Sequence, residues 1–545
     1  MRRLCYLILF VTLVAAGVLT GCRLDTKNGI ADDESFSSEE VVLGEKMQNP
    51  FSISAARSVD SSVQPNYYYF KVRTNDYEKV IALEEKYGTL ETIPIDYEIE
   101  EGGVYYTDNE CDDEYSPWYY LMKPVEDYYE LSQEYETELI EEMYVSDGFL
   151  SEFEGDDCED ASEDDATIRA IKKVKPKGRV MLYDAVLGKY VPMSNVKVVA
   201  SYWLVSKSSY TDKDGYFSIN HKFKSIGGKV KIKVEFENPT TRVKNAYALT
   251  TAKYSIGKKS VSSLDELEIY LKNDTAQAKL GTIVNASDKY RSYARLHNVT
   301  NPKKLHFWAN KNLTGGVTLM SYEVLVADLA SMGAVLGGLA GIPGVYIGAV
   351  FGGIVGTYFP DIIIGTRKSA NMTYTETITE CVFHEMAHAS HYQGIGSGRV
   401  SYWNKEYVEM IGGWVRLLKD DKDPRENTYN DGKSQLVCLI ESWAYFYGYF
   451  LMNEEYGGYD NHLEVKNYKN RFPYFYNEAF YDLMDAVDEE GDLCRGYTVG
   501  QMFNALKSKD VQSIEDYIER LCSLYPGQSD KEAIRDTFVH AGAKL

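Results

Sequence analysis

With 82 acidic against 58 basic side chains and a net charge of −24, this 545-residue chain has no basic groove that could release phosphate counterions, which excludes nucleic acid as a partner. Hydrophobic residues make up 44% and aromatic residues 13%, including 46 tyrosines, so an intrinsically disordered chain is excluded as well. At the usual ~100–200 residues each, the length allows about three domains.

Arg2 and Arg3 precede an apolar run from Leu4 to Val18, which Leu19-Thr20-Gly21-Cys22 closes. A short apolar run ending in small residues predicts a cleavable export signal over 1–21 rather than a spanning helix. Leu-Thr-Gly-Cys resembles the lipobox of bacterial lipoproteins. That resemblance implies cleavage before Cys22 and acylation of its sulfur, by a palmitate-like chain, and of its new amino group. The mature chain would then be an extracytoplasmic lipoprotein on the outer membrane or cell surface. Several acyl chains, at about 0.8 kcal/mol per buried methylene, would hold it there essentially permanently. Six cysteines remain after processing besides the acylated Cys22 (Cys111, Cys158, Cys381, Cys438, Cys494 and Cys522), an even number that permits disulfides without choosing a pairing. No CxxC pair exists, which argues against a cysteine-ligated structural zinc.

Residues 22–64 are polar and rich in Ser, Asp and Glu, and are expected to be a tether. A small α+β domain follows over 65–150. Tyr67 to Arg73 is strand-like, Asp76 to Tyr87 helix-like with Gly88 as its stop, and Leu90 to Ile99 alternates again. Glu152 to Asp165 holds nine acidic residues and predicts a solvated linker over 151–175. It lacks the alternating ligands and the glycine of a calcium loop.

From 176 to 272 short strands alternate with turns, and Asp214-Gly215 marks one tight turn. Thr211-Asp-Lys-Asp-Gly-Tyr-Phe resembles the "TDxxGxF" turn of the carboxypeptidase-regulatory-like β-sandwich. That resemblance implies a seven-strand spacer or binding module without catalytic residues. From 273 to 545 the chain becomes mainly helical. Lys304 to Ala309 and Pro360 to Gly365 are strand candidates, and helical patterns run over 374–393, 434–455 and about 498–523.

Three of the eight histidines fall together in His384-Glu-Met-Ala-His388-Ala-Ser-His391. An HExxH pattern puts two imidazoles at i and i+4 on one helix face, where both can reach one zinc ion. The intervening Glu385 is placed to take a proton from a water whose pKa the metal lowers to about 7. Thr373-Tyr-Thr-Glu376 predicts a capping box at the helix start. A catalytic zinc also needs a third protein ligand. His391 lies on the same stripe, but three ligands from one straight helix spread over about 10 Å, too far for one tetrahedral ion. Glu441, an acid inside the apolar Cys438-Leu-Ile-Glu-Ser-Trp-Ala-Tyr445, closes the geometry better, because a buried carboxylate is costly unless paired or metal-bound.

HEMAHASHY followed by ESWAYF resembles the gluzincin-type zinc metallopeptidases, particularly exported bacterial members, over roughly 279–545. The resemblance implies one Zn2+ held by His384, His388 and Glu441, with Glu385 as base and a peptide or protein as substrate. Many gluzincins carry an acid four positions after the ligand glutamate, where Tyr445 stands here, so the second-shell partner of the histidines is open. Glu409, 21 residues after His388, is the runner-up ligand. Asp361, Ile362, Ile363 and Ile364 form the expected edge strand for substrate. His391 and Tyr445, with Tyr447, Tyr449 and His462, are candidate second-shell or oxyanion groups.

Within 325–359 almost every residue is apolar, and Gly333, Gly337 and Gly341 fall four apart, as do Gly344, Gly348, Gly352 and Gly356. Such spacing suits closely packed helices. A helical hairpin is expected, with membrane insertion as its rival. The whole reads as a multidomain α+β protein: a small N-terminal α+β domain, a β-sandwich, then a mainly helical zincin-like metallopeptidase domain. The competing functions are a non-catalytic surface adhesin or binding scaffold on the same fold, and a membrane-acting protein using the glycine-rich hairpin.

Overall fold

A computed structural model describes residues 40–74, 77–106, 118–149, 173–224, 229–245, 250–311, 313–318, 320, 360–369, 371–406, 409, 435–457, 476–484, 494, 496–528, 530–543 and 545. The export signal, Cys22, the acidic run of the linker, His462 and the glycine-rich segment 325–359 lie outside the described residues. The chain is mixed α and β with several sheets. It divides into two compact units, one ending at Val284 and one from Asn285 to Leu545.

In the first unit, β1 (Val42–Lys46) pairs antiparallel with β3 (Tyr97–Glu101), and α1 (Ile53–Val59) follows β1. Residues 40–64 therefore do not behave as the tether expected over 22–64. Strand pairing with β3 satisfies their backbone, a partner that a polar composition does not reveal. The strand expected over Leu90 to Ile99 begins only at Tyr97, beyond Pro94. β2 (Tyr67–Arg73) is central between β4 (Tyr119–Pro124) and β5 (Glu136–Met143). Its five middle residues are buried on both faces. On one face Tyr68, Phe70 and Val72 meet Val80 and Leu83 of α2 (Tyr77–Tyr87) and Leu131 of α3 (Val125–Leu131). Gly88 stops α2 at φ +80°, as the sequence predicts.

Besides the short pairing of β6 (Lys173–Val174) with β12 (Phe223–Lys224) and the hairpin of β14 (Glu237–Asn238) and β15 (Thr241–Asn245), two further sheets occupy 177–271. One has the order β10 (Val205–Tyr210), β9 (Lys197–Tyr202), β13 (Lys229–Glu235), β16 (Lys253–Ser260). The other has the order β11 (Tyr216–Ser218), β7 (Lys177–Asp184), β17 (Leu267–Leu271), with β8 (Lys189–Pro192) paired to β7. The Thr211–Phe217 turn carries the chain from the first sheet to the second instead of closing a hairpin. Asp212 Oδ1 accepts from the amides of Asp214 and Tyr216, each at 2.9 Å. Gly215 sits at φ +80°, where a Cβ would meet the Val180 carbonyl at 2.6 Å. The buried Thr211 hydroxyl donates to the Met193 carbonyl at 2.7 Å.

The period of two along β13 buries Val230, Ile232 and Val234 on one side and Lys231, Lys233 and Glu235 on the other. That second side meets the N-terminal part of the same unit. Glu91 stands 3.4 Å from Lys231, 3.2 Å from Lys233 and 3.1 Å from Lys253. Glu84 pairs with Lys244 at 3.2 Å. Two stretches that the sequence separates by an acidic run therefore fold into one unit along a charged seam.

α4 (Ala276–Leu296) contains the division between the units. In the second unit β20 (Ile362–Gly365) runs parallel to β18 (Leu305–Asn310) and antiparallel to β19 (Gly316–Thr318). Asp361 to Ile364, expected at the open edge, is thus covered on both sides. The edge that no described strand pairs belongs to β19, a short run around Gly315-Gly316 with too little pattern to be read as a strand. The Met320 amide donates to the Asp361 carbonyl at 3.0 Å, so the chain leaves and re-enters this sheet at one point. The helices are α5 (Tyr374–Ile395), a stretch over 399–406, α6 (Gln435–Tyr456), α7 (Asn477–Met484), α8 (Val499–Leu506), α9 (Ile514–Leu524) and α10 (Lys531–His540). The helix expected over 498–523 is two, α8 and α9, because Ser513 caps a fresh start by accepting from the Asp516 amide. Among the described residues no helix is long and apolar enough to cross a membrane.

Candidate metal centre

Thr373 opens α5 with a capping box: its hydroxyl accepts from the Glu376 amide and the Glu376 carboxylate accepts from the Thr373 amide. Such a cap contributes about 1 kcal/mol and fixes where the helix begins. Eleven residues on, His384 and His388 face the same side. α6 packs along α5, and its Gly448 permits the approach: a Cβ there would lie 3.3 Å from the His384 amide nitrogen. The fully buried Trp443 stacks on Tyr447, with ring centroids 5.5 Å apart, and meets Phe480 and Phe503 at 5.6 Å. This aromatic packing fixes α6 in rotation, so Glu441 points at α5.

The three side chains converge. His384 Nε2 and His388 Nε2 are 3.1 Å apart, and Glu441 oxygens lie 3.4 Å and 3.5 Å from them. All three residues are buried, and their donor atoms lie within 4.8 Å of one another. An ion bound at about 2.0–2.1 Å to tetrahedrally placed ligands sets those ligands roughly 3.3 Å apart, so the donor set fits one zinc-sized cation. The protonation of the group without a cation supports the same fit. Both Nδ1 atoms are buried without a partner. Burial alone would raise the Glu441 carboxyl, but the His388 and His384 rings outweigh it and hold it far below the usual range. Burial pushes the His388 ring down, and Glu441 more than reverses this. One carboxylate and two imidazole Nε2 atoms thus meet at one point, where a cation could take the place of the protons they share. This buried His-His-Glu group could hold a metal ion.

Glu385 lies beside the group, 2% exposed, its carboxyl raised by burial and partly restored by His384, His388 and Thr318. Thr318 Oγ1 donates to Glu385 Oε2 at 2.7 Å and lies 2.8 Å from the Glu385 carbonyl oxygen. β19 reaches so close to α5 because Gly316 has no side chain: a Cβ would meet Cys381 Sγ at 2.5 Å and Glu385 Cγ at 2.8 Å.

Of the other expected residues, Tyr445 packs its ring 4.4 Å from that of His384. His391 turns away from the group: its Nε2–H donates to the Leu506 carbonyl at 3.2 Å, and burial holds its pKa down at about 3. It is thereby committed to the end of α8 and does not serve an oxyanion. Glu409 is also outside the group, its Oε2 accepting from the Leu436 amide at 3.2 Å, where it caps the start of α6. Glu406 is the acid that sequence reasoning missed. It is buried with Oε2 unpartnered, and burial, then Glu441, pushes its pKa up to about 8. Trp403, three residues before it, meets the His388 ring edge-on at 5.8 Å, so this helix face closes the site. The i, i+3 relation of Trp403 and Glu406 was the available signal. Of the cysteines, Cys381, Cys438 and Cys494 are buried and Cys522 is half-buried. No protein-family model and no curated protein matches this chain.

Proposed function

We propose that this chain is a zinc-dependent metallopeptidase, carried outside the cytoplasm on a lipid anchor at Cys22. The observation that carries the reading is the convergence of His384, His388 and Glu441 at 3.1–3.5 Å with Glu385 buried beside them. On this reading residues 273–545 form a zincin-like domain, and 176–272 a carboxypeptidase-regulatory-like sandwich acting as spacer or binding module.

His384, His388 and Glu441 would hold the ion. Zinc held by such a set supplies a Lewis acid for a peptide carbonyl and lowers the pKa of a water to about 7. Glu385 takes the proton of the attacking water and returns it to the leaving amine, one carboxylate serving as base and then as acid. The edge of β19 that no described strand pairs offers an extended peptide a place to add as a strand, beside Glu385 rather than one strand further away. Tyr445 and Trp403 restrict the His384 and His388 rings. The substrate is a peptide or protein segment in extended form.

The test is zinc content of the purified chain measured beside hydrolysis of a mixed peptide library. One zinc per chain and cleavage are expected, with Glu385→Gln keeping the metal and losing at least about a hundred-fold in kcat, the scale of a lost general base. Zinc bound without cleavage would favour the binding-scaffold reading. Glu385→Gln activity within tenfold of the parent would remove Glu385 from the mechanism.

A further inference from the structure

We propose that Thr318 is the positioning residue of the base: its hydroxyl, presented by β19, aims the Glu385 carboxylate and keeps it hydrogen-bonded throughout the proton relay. The inference rests on the peptidase reading above and adds a residue outside the HExxH and Glu441 motifs.

Three observations carry it. The first is the contact itself, Oγ1 to Oε2 at 2.7 Å, at a buried site where a carboxylate without a donor is costly. The second is the neighbouring acceptor, the Glu385 carbonyl oxygen at 2.8 Å. One hydroxyl hydrogen cannot serve both oxygens fully, so its direction depends on the state of the carboxylate. While Glu385 is ionised, the hydroxyl donates to Oε2. If the water's proton arrives on Oε1, that bond persists unchanged. If it arrives on Oε2, Oγ1 accepts this hydrogen and turns its own to the carbonyl. In each case Oγ1 and Oε2 stay bonded to each other, and the proton remains on Glu385 until the leaving amine takes it. The third observation is the strand that bears Thr318. No described strand pairs the outer edge of β19, so on the peptidase reading the strand that would align the peptide also sets the direction of the base.

A valine at 318 preserves shape and removes the hydroxyl; a serine restores it. In the full-length zinc-loaded chain, acting on a mixed peptide library, Thr318→Val should lower kcat about ten- to a hundred-fold, the scale of one hydrogen bond to a charged group. KM and zinc stoichiometry should stay as in the parent, and Thr318→Ser should recover kcat to within about threefold. A second readout needs no turnover. In the metal-free chain, Thr318→Val should lower the thermal midpoint when residue 385 is Glu and lower it clearly less in a Glu385→Ala background, where only the main-chain carbonyl remains as acceptor. Thr318→Ala replaces the valine if that variant does not fold. Equal midpoint losses in both backgrounds, or parental kcat in Thr318→Val, overturn the proposal. A parent chain that binds zinc and cleaves nothing refutes the peptidase reading instead, while the midpoints still decide whether Thr318 holds Glu385.

Discussion

Glu441 and Glu409 are both acids after the HExxH helix, and their surroundings assign them opposite work. Glu441 faces two imidazoles from inside a helix of Leu, Ile, Trp and Phe; Glu409 receives the free amide of Leu436. Glu441→Gln should therefore lose zinc to mild chelation at least ten-fold faster than the parent, since one of three ligands weakens. Glu409→Gln should keep zinc and lose only about 0.5–2 kcal/mol of stability, as for other helix caps. Metal analysis after dialysis against a chelator reads both, and zinc lost from the Glu409 variant but kept by the Glu441 variant would reverse the ligand set. The sequence carried this choice in the apolar run around Glu441. It offered Glu406 only through the i, i+3 spacing from Trp403, too common a relation to single out one acid before the helix is packed.

At the scale of elements, the contact between β19 and α5 matters most. The close approach at Gly316 is steric and not conformational, since what a side chain there would meet is Cys381 Sγ and the Glu385 side chain. Gly316→Ala should push the strand off the helix at a cost of about 1–3 kcal/mol, as overpacking does. Peptide cleavage should fall more than zinc binding, because the ligands lie on α5 and α6 and not on β19. Adding Cys381→Ala should recover part of the lost thermal midpoint; no recovery would place the strain elsewhere. The sequence made α5 and α6 legible through their length, the Thr373–Glu376 cap and the HExxH spacing. It misplaced the edge strand, because Ile362, Ile363 and Ile364 read as β in any position, whereas Gly316–Thr318 is three residues beside glycines. A strand buried between two others has the stronger apolar signature and therefore attracts the prediction meant for its neighbour. The folded part of 40–64 was hidden for the complementary reason: β1 alternates weakly and gains its order from β3, far along the chain.

For the whole molecule, all ligands of the proposed metal lie within Asn285–Leu545, while the charged seam around Glu91 belongs to the other unit. Length and composition alone suggested about three domains. They could not show that Lys231, Lys233 and Lys253 would be buried, since alternating lysines normally mark a solvated face. The remaining feature with reach beyond its own residues is the bond between Met320 and Asp361. It makes β19 and β20 the two arms of a hairpin, and the sequence between them a graft whose ends are already joined. Loop closure depends only logarithmically on length, about 0.6 kcal/mol per doubling, so the sheet scarcely senses how much chain is inserted there. Replacing 321–359 by an Asn-Gly turn should leave zinc content unchanged. If vesicle binding by the unlipidated chain disappears with the segment, the graft carries that property; zinc lost on exchange would show that the metal site depends on it. Such a position lets the inserted length change freely while the joined ends of β19 and β20 stay where they are.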